Sequence, residues 1–315
     1  MKQRVQILLT ALLARVSGYA ALARERVDAV WDWLVDKWPS GKWNARKWIP
    51  QKVGGPGAPV QPTAEPLSLG ADVELPVPQE SLPNHPVYAI GDIHGRYDLL
   101  VKLVKTLRDD FADSGDNAEL IFLGDYIDRG FQSKNVLDAL IELERDTSVK
   151  TVFLRGNHEQ VMLTFLQDAS VGPDWGKFGG RETLISYGVI PPRSVIATEE
   201  WEKSRVELNA SIPKDHVEFL EKLQTSYKVG PFGFVHAGVR SGVAFDEQSD
   251  RDRMWIRDEF LTADDREDLF IVHAHTPTKM PYADHRRINI DTGAYYSGRL
   301  TAVRLDQKMA RFLSI

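Results

Sequence analysis

Three stretches decide how this chain folds. Val87–Gly95 reads VYAIGDIHG, Leu120–Gly130 reads LIFLGDYIDRG, and Thr151–Glu159 reads TVFLRGNHE. Each begins as a short apolar run and then breaks into glycine beside Asp, Asn or His. Runs of that length closed by glycine predict buried strands. Two later runs repeat the pattern: Phe232–Val235 before His-Ala-Gly, and Leu269–Val272 before His-Ala-His. Between the early runs, residues 97–110 and 133–145 carry helical periodicity. Strand, loop, helix, strand predicts an α/β layered fold. In open α/β sheets ligands bind beyond the strand ends. Asp92, His94, Asp125, Asp128, Asn157, His158, His236 and His275 all fall there, and packing alone gives apolar strands no reason to end in such residues.

Upstream of Val87 the sequence changes character. Residues 1–50 hold nine Lys and Arg against four Asp and Glu, whereas the whole chain of 315 residues carries a formal charge of −6. Leu8, Leu12, Val16, Ala20 and Ala23, then Val27, Val30, Trp31 and Leu34, recur at helical spacing and predict an amphipathic N-terminal helical segment. Trp31, Trp33, Trp38, Trp43 and Trp48 lie among basic residues. That mixture suits packing on the main domain or a protein partner, and also peripheral contact with a membrane surface. The opening residues also imitate a cleaved signal peptide, although Arg15 interrupts the apolar run. Residues 51–86 contain eight of the 17 prolines and read as an extended Pro/Gly-rich linker. The catalytic domain is expected over 87–315. No apolar run reaches 18 residues, so no membrane span is expected, and the chain is placed in the cytoplasm. The acidic balance argues against a nucleic-acid partner.

The absence of Cys excludes thiolate zinc sites and a disulfide scaffold. Imidazole, carboxylate and amide oxygen suit manganese, iron or zinc. Such a set can hold two divalent ions, acidify a water between them and clamp a phosphoryl group.

Together GDIHG (Gly91–Gly95), GDYIDRG (Gly124–Gly130), GNHE (Gly156–Glu159), HAG (His236–Gly238) and HTP (His275–Pro277) resemble, in order and spacing, the phosphoprotein phosphatase family of metallophosphoesterases over about residues 87–305. The resemblance implies a calcineurin-like αββα sandwich. It implies that Asp92, His94 and His275 bind one metal and that Asn157 and His236 bind the second, with Asp125 bridging. It implies that Asp128 orients His158, which acts as general acid toward the leaving oxygen or positions that oxygen, while a hydroxide bridging the metals attacks. Arg129 would grip phosphate. Arg257, in MWIRDEF (Met254–Phe260), resembles the family's later phosphate-binding arginine. Arg155 is a further candidate for that work, balanced against a structural ion pair, and Asp291 in DTG would support the site. Manganese is the first choice of metal, with iron or zinc as alternatives.

The expected activity is phosphomonoester hydrolysis on phosphoserine or phosphothreonine in a protein or peptide, with phosphotyrosine as a further substrate. GDYIDRG and GNHE favour this over a symmetrical diadenosine tetraphosphate hydrolase, the enzymatic alternative. A scaffold with a decayed site is the non-enzymatic alternative, and no expected ligand is missing. His273 reads as support or core. His85, His216 and His285 read as surface or linker residues. Residues 161–230, with Trp175, Gly179, Gly180 and ETLISYG (Glu182–Gly188), either shape substrate entry or cover the sheet.

Overall fold

The computed structural model describes residues 72–77, 83–114, 118–194, 198–264, 268–307 and 309–315. The N-terminal helical segment and the linker up to residue 71 lie outside the described residues.

Eleven strands are described: β1 (Asp72–Glu74), β2 (Val87–Ile90), β3 (Glu119–Phe122), β4 (Lys150–Phe153), β5 (Ser226–Val229), β6 (Phe232–Val235), β7 (Phe270–His273), β8 (Tyr282–Ala283), β9 (Arg287–Asn289), β10 (Thr301–Asp306) and β11 (Met309–Ser314). They form a six-stranded sheet in the order β1-β11-β10-β2-β3-β4 and a five-stranded sheet in the order β5-β6-β7-β9-β8. β2, β3 and β4 run parallel, as do β6, β7 and β9. Ile90 pairs with Phe122 and Phe122 with Phe153, so the first three strands end level and their loops leave from one edge. The helices are α1 (Tyr97–Ser114), α2 (Ser133–Arg145), α3 (Asn157–Gln167), α4 (Gly172–Lys177), α5 (Gly180–Ser186), α6 (Thr198–Ser211), α7 (Lys214–Lys222), α8 (Asp250–Trp255), α9 (Asp258–Leu261) and α10 (Ala294–Ser297). Among the described residues no helix is long and apolar enough to cross a membrane.

Successive strand residues point to opposite faces, and both faces here are covered. Val87, Ala89, Ile121, Val303 and Leu305 of the first sheet share one core with Phe232, Phe234, Phe270, Val272 and Ile288 of the second. The alternate residues meet helices. Tyr88 packs on Phe111 of α1, and Phe153 on Phe219 of α7. On the far side, Val235 and Ile271 cluster with Phe245, Ile256 and Phe260. The layers are therefore helix, sheet, sheet, helix, as expected. Because both faces are buried, the strands read as continuous apolar runs rather than alternating ones.

Two expectations change. The stretch assigned to the linker is not spacer throughout. Asp72–Glu74 pairs antiparallel with β11, Arg311 bonds Asp72 at 2.7 Å, and Leu75 and Val77 enter the inter-sheet core. The cause is local, because Leu67–Leu75 contains no proline and can take part in a ladder. His216 is not a surface residue. It is buried, with Nδ1 2.8 Å from the Tyr187 hydroxyl and Nε2 2.9 Å from Asp138.

Candidate metal centre and active site

The loops after β2, β3 and β4 are stitched together by their own backbone. The N–H groups of Ile93 and His94 both donate to the carbonyl of Asp125, at 3.1 and 2.9 Å. Gly124 has φ of +107° and lies so close to the next loop that a Cβ there would stand 2.5 Å from the amide nitrogen of Gly156. Among the described residues six non-glycine positions have positive φ, and five of them are His94, Asp125, Asp128, Arg129 and His275. Strain of that kind costs roughly 1–3 kcal/mol per residue and persists only where the surroundings enforce it. Here it turns side chains from separate loops toward one point.

That point is the Asp125 carboxylate. Its Oδ2 lies 3.5 Å from His94 Nε2 and 3.4 Å from His236 Nε2. Asp92 Oδ2 is 3.9 Å from His94 Nε2. His236 Nε2 is also 3.0 Å from Asn157 Oδ1 and 3.1 Å from His275 Nδ1. His94 and His236 each tie Nδ1 to a backbone carbonyl, of Ile127 at 2.8 Å and of Leu123 at 3.0 Å. Those bonds fix the tautomer and leave both Nε2 lone pairs facing inward, the arrangement metal-ligating histidines use.

Whether these residues fit cations can be tested on their own hydrogen bonding. Asp92 Oδ1, His94 Nε2 and His275 Nε2 are all buried and lack a hydrogen-bond partner. A buried polar atom without a partner costs about 1–3 kcal/mol. Three of them among one cluster of oxygen and nitrogen donors fit divalent cations. Asp125 belongs to both candidate groups, one with His94 and His158 and the other with His236 and His275.

The electrostatics agree. Burial would raise the pKa of Asp125, but the imidazoles of His236, His158 and His94 outweigh it and hold the carboxyl well below its usual range. Asp92 is pushed well above its usual value by burial, then by the charges of Asp291 and Asp125. His94 is held well below its usual value by burial and by the Arg129 and His158 charges, and His275 by burial and the Arg257 charge. Burial lowers the His236 pKa, but the Asp125 charge outweighs it and raises the pKa, and carboxylates crowded together in a buried site are what a cation would relieve.

Beside this cluster, His158 Nδ1 lies 2.6 Å from Asp128 Oδ2. The guanidinium of Arg129 donates to His158 Nε2 at 3.2 Å and lies 4.7 Å from the centre of the Tyr295 ring. Arg257 donates to Thr276 Oγ1 at 3.4 Å. Burial, then the Arg129 charge, lowers its pKa, while Asp291, Asp125 and Asp92 oppose that shift. Asp291 accepts the Gly293 N–H at 2.8 Å.

Two sequence assignments shift. His275 was grouped with Asp92 and His94, but its ring meets that of His236, so the geometry groups it with His236 and Asn157. The left-handed backbone at His275 turns the side chain that way. Arg155 does not reach toward phosphate. Its guanidinium donates to the carbonyls of Leu220 and Glu221 at the end of α7, at 3.1 and 2.6 Å. Those orphan helix-end acceptors take it. Of the other sequence-assigned residues, His158 and Arg129 lie beside the Asp125 cluster and Asp128 lies behind His158.

Glu159, the last residue of GNHE, has a role that its motif does not signal. Its buried carboxylate accepts N–H bonds from Asp125, Tyr126 and Gly156 at 2.8–2.9 Å. Residues 161–230, expected to shape substrate entry or cover the sheet, instead reach the site from behind through Trp175 and Thr183. Trp175 and Thr183 donate to Asp128 from 47 and 55 residues away, and no local spacing signals that.

With this geometry established, comparisons identify its kin. Residues 85–306 match the calcineurin-like phosphoesterase family. An asymmetrical bis(5'-nucleosyl)-tetraphosphatase PrpE of Anoxybacillus flavithermus is 28% identical over 236 residues, covering 68% of this chain and 88% of its own. The protein of the same name from Halalkalibacterium halodurans is 26% identical over 254 residues, covering 72% of this chain and 92% of its own. A solved structure of a candidate diadenosine tetraphosphatase superposes with a TM-score of 0.51 at 21% identity, covering 74% of this chain and 95% of that one, which supports the fold. The matched segment contains β2 to β10 and every residue of the Asp125 cluster, and the chain belongs to the calcineurin-like phosphoesterases, hydrolases of phosphate esters that use a dinuclear divalent metal site.

Proposed function

We propose that this protein hydrolyses a phosphoric anhydride of a bis(5'-nucleosyl) tetraphosphate, with asymmetrical cleavage. The observation carrying this reading is the pair of PrpE relatives, which align over about nine-tenths of their own length. It departs from the phosphoprotein substrate expected from GDYIDRG and GNHE, and also from symmetrical cleavage. The site's surroundings support it. Tyr295 lies under Arg129, and Tyr296, 53% exposed, meets Tyr295 edge-on at 4.9 Å. Aromatic surface beside a phosphate-gripping arginine suits a nucleobase carried on a phosphate chain, because any base can stack on an aromatic face. A phosphoserine or phosphothreonine phosphatase remains the second reading, favoured by the motif forms.

Asp92, His94 and Asp125 would hold one cation, and Asp125, Asn157, His236 and His275 the other, with manganese the first choice and iron or zinc the alternatives. When bound, the pair supplies Lewis-acid polarisation of phosphate and an acidified water. The remaining steps belong to the chain. Arg129 and Arg257 bind the equatorial phosphate oxygens, Arg129 through a planar fork that keeps its charge. As Arg129 turns to phosphate it leaves His158 Nε2 facing the leaving oxygen. His158, protonated and held by Asp128, gives that oxygen its Nε2 proton as a water oxygen bonds to phosphorus and the P–O bond to the leaving group breaks.

The test is a substrate comparison with manganese-loaded protein. Diadenosine tetraphosphate should yield ATP and AMP at a kcat/KM at least tenfold above that for a phosphoserine peptide. Two ADP would overturn the asymmetrical assignment, and a preference for the phosphopeptide would establish the second reading.

A further inference from the structure

The segment between the third and fourth motifs meets the active site at Asp128, from behind. Asp128 is fully buried and has φ of +71°. Its carboxylate takes three donors. Oδ2 accepts from His158 Nδ1 at 2.6 Å and from Trp175 Nε1 at 2.9 Å, and Oδ1 accepts from Thr183 Oγ1 at 2.6 Å. The Asp128 N–H is held by Thr183 Oγ1 at 2.9 Å and by Ser133 Oγ at 3.1 Å. Thr183 therefore grips Asp128 at both its carboxylate and its backbone.

The donors are themselves fixed. Trp175 stands at the end of α4 and packs on Phe165 of α3 at 4.7 Å between ring centres; Phe165 in turn meets Trp201 of α6. The carbonyl of Gly179, at the joint of α4 and α5, accepts the Arg129 N–H at 3.2 Å. Gly179 has φ of +107°, and a Cβ there would collide with Arg129. One short pair of helices thus seats both the partner of His158 and the phosphate-gripping arginine.

A carboxylate held only by its imidazole could rotate about its Cβ–Cγ bond, and the imidazole would follow. With both oxygens engaged from the far side, the carboxylate plane is set before substrate arrives. We infer that Trp175 and Thr183 are positioning residues that lock the Asp128 carboxylate and so aim His158 Nε2 at the leaving-group oxygen. This rests on the general-acid reading of His158. In that step the P–O bond to the leaving group breaks with its electron pair on oxygen, the Nε2 proton passes to that oxygen, and the ring becomes neutral. Misaiming the donor by about 1 Å can cost up to about 100-fold in such a step.

Two measurements on the full chain test the inference. The first is the proton NMR signal of the His158 Nδ1–H in metal-free, nitrogen-15 histidine-labelled protein. Thr183→Val, which preserves side-chain shape, should shift or broaden that signal, and Thr183→Ser should restore it. The second compares turnover of phenyl phosphate and p-nitrophenyl phosphate with manganese, since only the poorer leaving group needs the proton. Thr183→Val should lower the phenyl phosphate rate about tenfold more than the other, and Trp175→Phe should do the same in part. His158→Ala is the reference. If His158→Ala slows both substrates equally, the general-acid reading falls and the inference with it. If His158→Ala discriminates but Thr183→Val leaves both the signal and the rate ratio at wild-type values, the inference alone is overturned.

Discussion

The carboxylate of Glu159 accepts the backbone N–H of Asp125 at 2.9 Å while its second oxygen takes that of Tyr126 at 2.8 Å. A buried acid thus holds the left-handed turn that presents the residue central to both candidate metal groups. Glu159 also accepts the N–H of Gly156, just ahead of Asn157. Removing it frees two ligand-bearing loops at once. Glu159→Ala should lower stability by about 3 kcal/mol, since it removes three buried hydrogen bonds worth about 0.5–1.5 kcal/mol each. It should also release bound manganese on dialysis. Metal analysis showing wild-type occupancy would refute this role.

The contact of the two glycine loops gives a sharper geometric prediction. A Cβ on Gly156 would collide with the Asp125 carboxylate. Gly156→Ala should therefore reduce turnover on every phosphoester by at least tenfold, with metal affinity weakened. Unimpaired metal binding and turnover would refute this contact between the loops.

The exposed ring beside the phosphate arginine should discriminate between substrates. Stacking a base on an aromatic side chain is worth about 1–3 kcal/mol. Tyr296→Ala should raise KM for diadenosine tetraphosphate by about tenfold and leave KM for p-nitrophenyl phosphate unchanged. Equal effects on both would exclude a base contact at this position.

His216 gives stability a dependence on pH. Burial lowers its pKa, and the bond to Asp138 only partly opposes that. The unfolded imidazole takes up a proton below about pH 6.5, whereas the folded one resists. Its contribution is therefore complete above pH 6.5 and declines as the pH falls below that value toward the depressed folded pKa. In urea titrations at pH 7.5 and 5.5, wild type should lose more stability on acidification than His216→Gln. Parallel losses in the two proteins would contradict this.

The strand recovered from the linker should matter to the core but not to the chemistry. Leu75 is 2% exposed and packs between the sheets. Leu75→Ala should cost about 3 kcal/mol, within the usual range for a buried leucine, with kcat per folded molecule unchanged. A variant as stable as wild type would place Leu75 outside the core.

Much of the site was legible because its residues are local to strand ends. GDIHG, GDYIDRG and GNHE each join a ligand to the glycine that lets the chain turn, so motif and chemistry share one short segment. His236 and His275 were legible for the same reason. Which histidine belongs with which partner was not, since that depends on the φ of +68° at His275 and on how β6 and β7 lie side by side. Arg155 misled because its position between β4 and the GNHE loop matches a phosphate ligand, while the acceptors that claim it come from α7. His216 sits on an amphipathic helix, where sequence alone does not reveal which polar residue finds a buried partner.

The sequence by itself determined the layered α/β fold, the five strand ends and the donor set without thiols, because apolar runs, glycine breaks and ligand types are all properties of short segments. Only the tertiary structure decided that His275 joins His236 at Asp125, that Glu159 holds the Asp125 turn, and that Trp175 and Thr183 brace Asp128. Those relationships join residues up to 150 positions apart (Asp125 and His275), and contacts of a few ångströms across such separations are fixed by how the sheets and helices pack.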